Sequence, residues 1–179
     1  MSHSSKAQSH HPAGSRVHGA GVLREEAHDP YRAKGKLEDG TTCPDCHAQV
    51  HRGAWRWVSA PSVAQVAQPQ GKVHRCPACE RIRVQDPAAI ITLDGAYVSA
   101  HRESLQALIR HEEQRQKAEH PLERIMAMQA PEGENLVITT TGPHLARAIG
   151  HALERAHKGH LSVQYAQGPM LVRVHWHRD

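Results

Sequence analysis

From Pro87 onward the chain alternates short apolar runs with polar, turn-rich stretches, and the period of each run points to an element. Ala89-Ile-Ile-Thr-Leu93 is β-branched and bounded by Pro87 and Asp94-Gly95, which predicts a strand followed by a turn. Residues 100–119 are polar except for Leu105, Leu108 and Ile109, whose spacing is one buried helical stripe. Glu113 and Lys117 form an i,i+4 pair on that helix, and Pro121 ends it. Leu122–Gln129 and Leu136–Thr141 read as two strands joined by a turn at Pro131–Glu134. Gly142-Pro143 opens the best helix in the chain. Proline suits the first helical position, Leu145, Ile149, Ala152 and Ala156 share one face, and Lys158-Gly159 ends it. Leu161–Ala166 and Met170–Trp176 are two alternating strands around Gly168. In these two strands Leu161, Val163, Tyr165, Val172, Val174 and Trp176 are expected to point inward, and Ser162, Gln164, Arg173 and His175 outward.

The order β-α-β-β-α-β with one further strand is that of a ferredoxin-like split-βαβ sandwich. An RNA-reading sheet would carry stacking aromatics on its open face. The last two strands place none there, so base-specific reading by this sheet is not expected.

The front of the chain has no such regularity. Residues 1–21 are rich in Ser, His, Ala and Gly and read as a disordered tail. Residues 22–41 form a lead-in punctuated by Pro30, Gly35 and Gly40, with Arg32, Lys34 and Lys36 around Tyr31. A basic segment beside one aromatic suits phosphate contact and base stacking, and is equally a solvated linker. Residues 42–87 form a cysteine module and residues 88–179 the sandwich, an α+β chain in which the first unit is a four-cysteine zinc ribbon.

Cys43-Pro-Asp-Cys46 and Cys76-Pro-Ala-Cys79 hold the only four cysteines, separated by 29 residues. Two residues between thiolates let one tight turn present both sulfurs to an ion, and two such turns complete a tetrahedron. One structural Zn²⁺ is the expected cofactor; disulfides or redox thiols are the alternative, although redox C-x-x-C pairs normally occur singly. Between the pairs, the sequence around Arg52-Gly53 reads as a hairpin, and Ser59–Gln70 as a flexible loop. Trp55 and Trp57 share a strand face, either as a small core over the metal turns or as a stacking platform flanked by Arg52 and Arg56. Residues 43–87 carry six Lys/Arg (Arg52, Arg56, Lys72, Arg75, Arg81, Arg83) against three acids, the locally basic part of the chain. His47, His51 and His74 are expected to stay outside the metal's ligand set.

Composition narrows the function classes. The chain has 179 residues, no Phe and only six Trp and Tyr together, so its cores must be built from Leu, Ile, Val and Ala, which favours two compact units. Net charge is +4, which permits nucleic-acid binding without demonstrating it. Seventeen scattered histidines are either solvated surface positions or a source of positive charge as pH falls. The helix after Pro143 aligns Arg147, His151, Arg155 and Lys158 as a basic stripe, which tracks phosphates or is simply a solvated face. No apolar run reaches membrane-spanning length and Met1–Asp39 holds no signal-peptide core, so a reducing cytoplasm is expected. A P-loop is absent, His111-Glu-Glu-Gln-Arg115 lacks the second histidine of a zincin, and His101-Arg-Glu103 follows the cysteines rather than preceding them as in zinc deaminases. A non-enzymatic protein without a small-molecule substrate is the expectation.

The strings HDPYRAKGK, CPDC, CPAC, GAWRW, HPLERIMAM and LVITTTGPHLARAIGHALERAHKGHL resemble, over residues 28–176, a family of small bacterial zinc-ribbon proteins. That family is described, by analogy with the eukaryotic nuclear-export adaptor of the large ribosomal subunit, as affecting ribosome stability and mRNA decay. The resemblance implies metal ligation by Cys43, Cys46, Cys76 and Cys79. It departs at His47, where the family's first turn has a glycine that supplies positive φ. The expected activity is therefore RNA contact, with rRNA or the ribosome as partner, through Arg32, Lys34, Lys36, Arg52, Arg56, Arg75, Arg81 and Arg83, with Trp55 or Trp57 stacking. The other reading is a protein-interaction or regulatory module in which zinc only stabilises a docking surface.

Overall fold

The strand expected at Ala89–Leu93 is the middle of a five-stranded sheet. The computed structural model describes residues 29–58, 72–131, 135–165 and 171–179. The expected tail at 1–21, the start of the lead-in, the loop at 59–70, most of the Pro131–Glu134 turn and the Gly168 turn lie outside the described residues.

The elements in chain order are β1 (Gln49–His51), β2 (Ala54–Arg56), α1 (Pro77–Val84), β3 (Ala89–Asp94), α2 (Ala96–Ala100), α3 (Arg102–Glu119), β4 (Ile125–Gln129), β5 (Leu136–Thr140), α4 (Pro143–His157), β6 (His160–Tyr165) and β7 (Val172–His177). β1 and β2 form a separate hairpin, and the large sheet runs β4-β5-β3-β7-β6. β3 is antiparallel to β5 and parallel to β7, so the sheet is mixed. The chain is α+β; along residues 89–177 the expected strands and helices follow in order, with one short helix, α2, that the sequence reading did not anticipate.

Alternation left open where the final strand would lie. A split-βαβ order by itself would put β6 beside β3; instead β7 folds back from β6 and takes that place. The burial pattern explains the exchange. β7 buries Val172, Val174 and Trp176 almost completely, whereas Leu161 and Val163 of β6 are only partly covered. The strand with the fuller apolar row occupies the interior, and the edge goes to the more polar one.

α4 lies across the sheet against β3, β5, β6 and β7, and α3 packs beside it. Leu145, Ile149 and Leu153 of α4 meet Ile91, Ile138 and Val174 of the sheet in one core, with Leu105 and Ile109 of α3. A Cβ on Gly150 would stand 2.8 Å from Leu161 Cδ1 and 2.9 Å from Val174 Cγ1, so a bare glycine is what allows the helix this close to β6 and β7. The buried Trp176 indole donates to the Lys158 carbonyl at 2.7 Å. No helix among the described residues is long and apolar enough to cross a membrane.

Some local expectations change. Tyr165 does not point into the core: it is half exposed at the sheet edge, where its hydroxyl accepts from Arg147 Nη1 at 3.2 Å. Ala156 is exposed and Leu153 takes its place in the buried stripe. Glu113 is not paired with Lys117; its carboxylate accepts the Ile125 backbone N–H at 2.8 Å and pins the start of β4 to α3. Residues 122–124, expected as the start of a strand, are a turn and extended segment before β4.

The parallel β3–β7 pair carries a polar latch on the open face. Asp94 bonds His175 Nε2 at 2.6 Å and His177 Nδ1 at 2.5 Å, and Asp179 sits 3.2 Å from His177 Nε2. His160 is the cross-strand neighbour of His177. Burial alone would raise the Asp94 carboxyl, but the two histidines hold it below its ordinary value. His177 is raised by its bond to Asp94 and, next, by Asp179. A raised histidine stabilises fully below its ordinary value and loses that contribution as pH rises through the folded value. A depressed carboxyl stabilises above its ordinary value and loses it as pH falls. The latch is therefore strongest at roughly pH 4 to 6.5. The urea midpoint of the native chain should exceed that of Asp94→Asn by more at pH 6 than at pH 8.5; a difference that stays constant across that range would refute the latch.

Candidate metal centre and the adjoining basic cleft

The first cysteine pair sits on a tight loop closed by backbone bonds. Cys43 N–H donates to Ala48 O at 2.9 Å and His47 N–H to Cys43 O at 3.0 Å. His47 has φ 62°, the left-handed conformation that a glycine would adopt freely and that costs a β-carbon residue about 1–2 kcal/mol. The β1–β2 hairpin follows, turning through Arg52 (φ 50°) and Gly53 (φ 78°), two positive-φ residues as a two-residue primed turn requires. Thr42 bridges to Gln49 on one side and Val73 on the other, which brings the segment before the second pair alongside the first.

The second pair is not a second tight turn. Cys76 is the N-cap of α1, Pro77 begins the helix, and the Cys79 N–H donates to Cys76 Sγ at 3.5 Å. A cysteine sulfur stands here where a serine or aspartate oxygen usually caps, and proline is favoured at the next position. The proline that reads as a turn former in the sequence is thus a helix initiator. Among the described residues the module is a tight loop, a hairpin and a helix N-terminus, so the second pair is presented differently from the tight turn its spacing suggested. The positive end of α1 lies among the sulfurs and favours thiolates there.

All four sulfurs lie within 4.8 Å of one another, and Cys46 Sγ is 3.7 Å from Cys76 Sγ. A disulfide would need about 2.05 Å. A tetrahedral ion with metal–sulfur bonds of about 2.3 Å gives edges of about 3.8 Å, so the donor set fits one metal ion. Cys43, Cys46, Cys76 and Cys79 would hold it, and a divalent cation there would keep all four sulfurs ionised and bind the tight loop to α1.

Arg124, which did not stand out in the sequence, completes this site from the other half of the chain. Its guanidinium Nη2 lies 3.1 Å from Cys46 Sγ and 3.8 Å from Cys76 Sγ, and Nη1 lies 3.3 Å from Cys79 Sγ. The side chain is held by Nε donating to Pro121 O at 2.6 Å, and the backbone by its N–H donating to Thr141 Oγ1 at 2.9 Å. Burial disfavours the arginine's charge, yet the Cys46 and Cys79 sulfurs more than offset it and raise its pKa. The Cys76 hydrogen bond, together with Arg124, pulls Cys46 down to about 4. The same hydrogen bond, with burial, pushes Cys76 up, and burial raises Cys79 to about 11. Without a cation the cluster thus favours a thiolate at Cys46 and disfavours one at Cys76 and Cys79. The preceding residue, Glu123, turns the opposite way and accepts the Leu145 N–H at 2.8 Å at the start of α4, in the space a Cβ on Gly142 would fill. An adjacent acid and base between Pro121 and an apolar strand is the signal the sequence did carry; buried charges at that place require partners.

The two tryptophans have different roles. Trp55 packs against the cysteine cluster and also lines a cleft. Trp57, just past β2, donates its indole N–H to Lys117 O at 2.5 Å and lies under the Arg124 guanidinium, 5.6 Å from ring centroid to Cζ. It fastens the module to the end of α3.

The basic residues divide into groups. Arg81 is buried, with Nη2 on Asp29 at 3.0 Å, Nη1 on Asp86 O at 3.1 Å, and its Cζ 4.7 Å from the Tyr31 ring centroid. It clamps the lead-in onto α1 and is not a surface for phosphate. Arg75 bonds Asp45 at 2.5 Å and Glu80 at 3.3 Å, and Arg83 pairs with Glu80. Lys72 pairs with Glu38 at 2.6 Å. Arg52 is exposed at the hairpin tip, its N–H held by Asp39 at 3.1 Å. On α4, Arg147 reaches Tyr165 and His144, His151 stands 3.6 Å from Glu154, and Arg155 and Lys158 are exposed. A third group converges: Arg32, Lys34, Lys36 and Arg56 line one cleft of about 820 Å³, together with Trp55. Arg56 Nη1 is 3.5 Å from Glu119 O at its edge.

Arg124→Met keeps the stem and removes the charge facing the sulfurs. We expect zinc affinity, measured by chelator competition, to fall about 10- to 100-fold. Unchanged affinity would mean that the guanidinium only fills space. A scan against protein-family models finds no match for this chain, and no curated protein or solved structure matches it.

Proposed function

We propose that this chain is a zinc-stabilised, non-enzymatic RNA-contacting protein of the zinc-ribbon family its sequence resembles, and that it works on the ribosome in the cytoplasm. The observation that carries the reading is the convergence of Arg32, Lys34, Lys36 and Arg56 on one cleft beside the metal centre. Zinc is the ion that four sulfurs in a closed tetrahedron suit best, and four protein ligands leave no position for a reacting water. Its role is structural: it holds the hairpin, α1 and, through Arg124, the sandwich in one arrangement. The cleft is then a product of the folded metal centre, since β2, α3 and the lead-in all contribute walls.

A protein-docking module is the second reading. It is favoured by one finding, that Arg75, Arg81 and Arg83 are matched by Asp29, Asp45, Glu80 and Asp86. The module's basic excess is correspondingly smaller at its surface than its residue count suggests.

The two readings differ in salt dependence. If four cations contact single-stranded RNA, log K against log salt should have a slope of about −3. Sedimentation with ribosomes at low salt, release by salt or nuclease, and loss of binding after zinc is chelated are the expected results. Binding that resists both salt and nuclease would favour the docking module, and a protein that stays free at low salt would remove the ribosome from the reading.

A further inference from the structure

The cleft is larger than phosphate tracking requires. A strand lying on a basic surface needs only a row of cations, whereas this hollow of about 820 Å³ is of the size that encloses an organic ligand, for which pockets run to roughly 300–1,000 Å³. Its walls are of two kinds. Val50, Trp55, Pro77, Pro121 and Leu122 give an apolar side next to the metal centre, and Arg32, Lys34 and Lys36 face in from the lead-in, with Arg56 from β2. His74, His120 and His144 add donors. The two acids on the wall are already engaged: Asp29 accepts from Arg81 and from the Tyr31 N–H, and Glu123 accepts from Leu145. Lys34 and Lys36 are exposed and enter no ion pair among the described residues.

An anion alone would leave the apolar wall uncovered, and an aliphatic carboxylate offers no flat face to Trp55. A base with its phosphate matches both walls, the ring against Trp55 and its apolar neighbours and the phosphate among the lysines and arginines. A base stacked inside a duplex cannot enter such a hollow, so the nucleotide must be unpaired. We infer that the cleft between the lead-in, the β1–β2 hairpin and the start of α4 is a binding site for one unpaired nucleotide with its phosphate. A single-stranded RNA and a free nucleoside monophosphate share that chemistry. The inference rests on the RNA-contact reading for the first source only.

The test uses the zinc-loaded full chain with uridine and adenosine monophosphates, the two nucleosides, inorganic phosphate, and a short single-stranded oligouridine with its duplexed form. Calorimetry or tryptophan fluorescence reports binding. A monophosphate should bind at least about tenfold more tightly than its nucleoside or phosphate alone, and the single strand more tightly than the duplex. Lys34→Glu/Lys36→Glu should weaken monophosphate binding about tenfold or more with zinc content and melting temperature unchanged. Phosphate binding as tightly as the monophosphates would reduce the cleft to an anion patch and overturn the inference, as would a charge reversal without effect. Single-strand binding with no monophosphate binding overturns the inference and leaves RNA contact standing. Monophosphate binding without RNA or ribosome binding supports the site, names the free nucleotide as its source, and overturns RNA contact instead.

Discussion

The placement of Arg124 among the cysteine sulfurs is the constraint around which the rest of the molecule is arranged. Four thiolates around one divalent cation carry excess negative charge, and a buried excess needs a fixed counter-charge close by. The chain supplies it from the far side of the sequence. Arg124 lies between α3 and β4, anchored by Pro121 and Thr141, so the electrostatic environment of the cysteine cluster depends on the packing of residues 121–141 against it. Trp57 on Lys117 and Glu113 on Ile125 brace the same corner. The cysteines thus meet a residue from the other half of the chain, a contact that their spacing alone does not indicate.

This arrangement also accounts for the distribution of basic residues. Near the cysteine cluster, arginines serve structure: Arg81 holds the lead-in through Asp29 and Tyr31, and Arg75 and Arg83 share Glu80. With the lead-in clamped at Asp29 and Tyr31, the residues that follow, Arg32, Lys34 and Lys36, line the cleft. The module has two sets of cations with different tasks, and only packing separates them.

The sandwich was legible because alternation and capping are local. The β3 alternation, the stripe of Leu105 and Ile109, and Pro143 opening α4 all appear in the structure, as do Val172, Val174 and Trp176 turned inward. The helix α1 was not legible, because Cys-Pro-x-Cys serves equally as a knuckle turn and as an N-cap followed by proline. Tyr165 alternates correctly with the core row, yet it falls at the exposed end of an edge strand. Arg124 was hidden for a related reason: its partners are 45 to 78 residues away in sequence.

Local chemistry was enough to specify four thiols at metal-binding spacing, the hairpin through Arg52-Gly53, and, apart from the short helix α2, the succession of strands and helices from Ala89 to His177. These depend on dihedral preference, side-chain period and ligand type, all set within a few neighbouring residues. The tertiary structure decided that β7 lies between β3 and β6, that the second cysteine pair caps a helix, and which arginines face solvent. Each of those outcomes is a competition among distant groups for the same interior space or the same charge, and its result follows from what is packed against what.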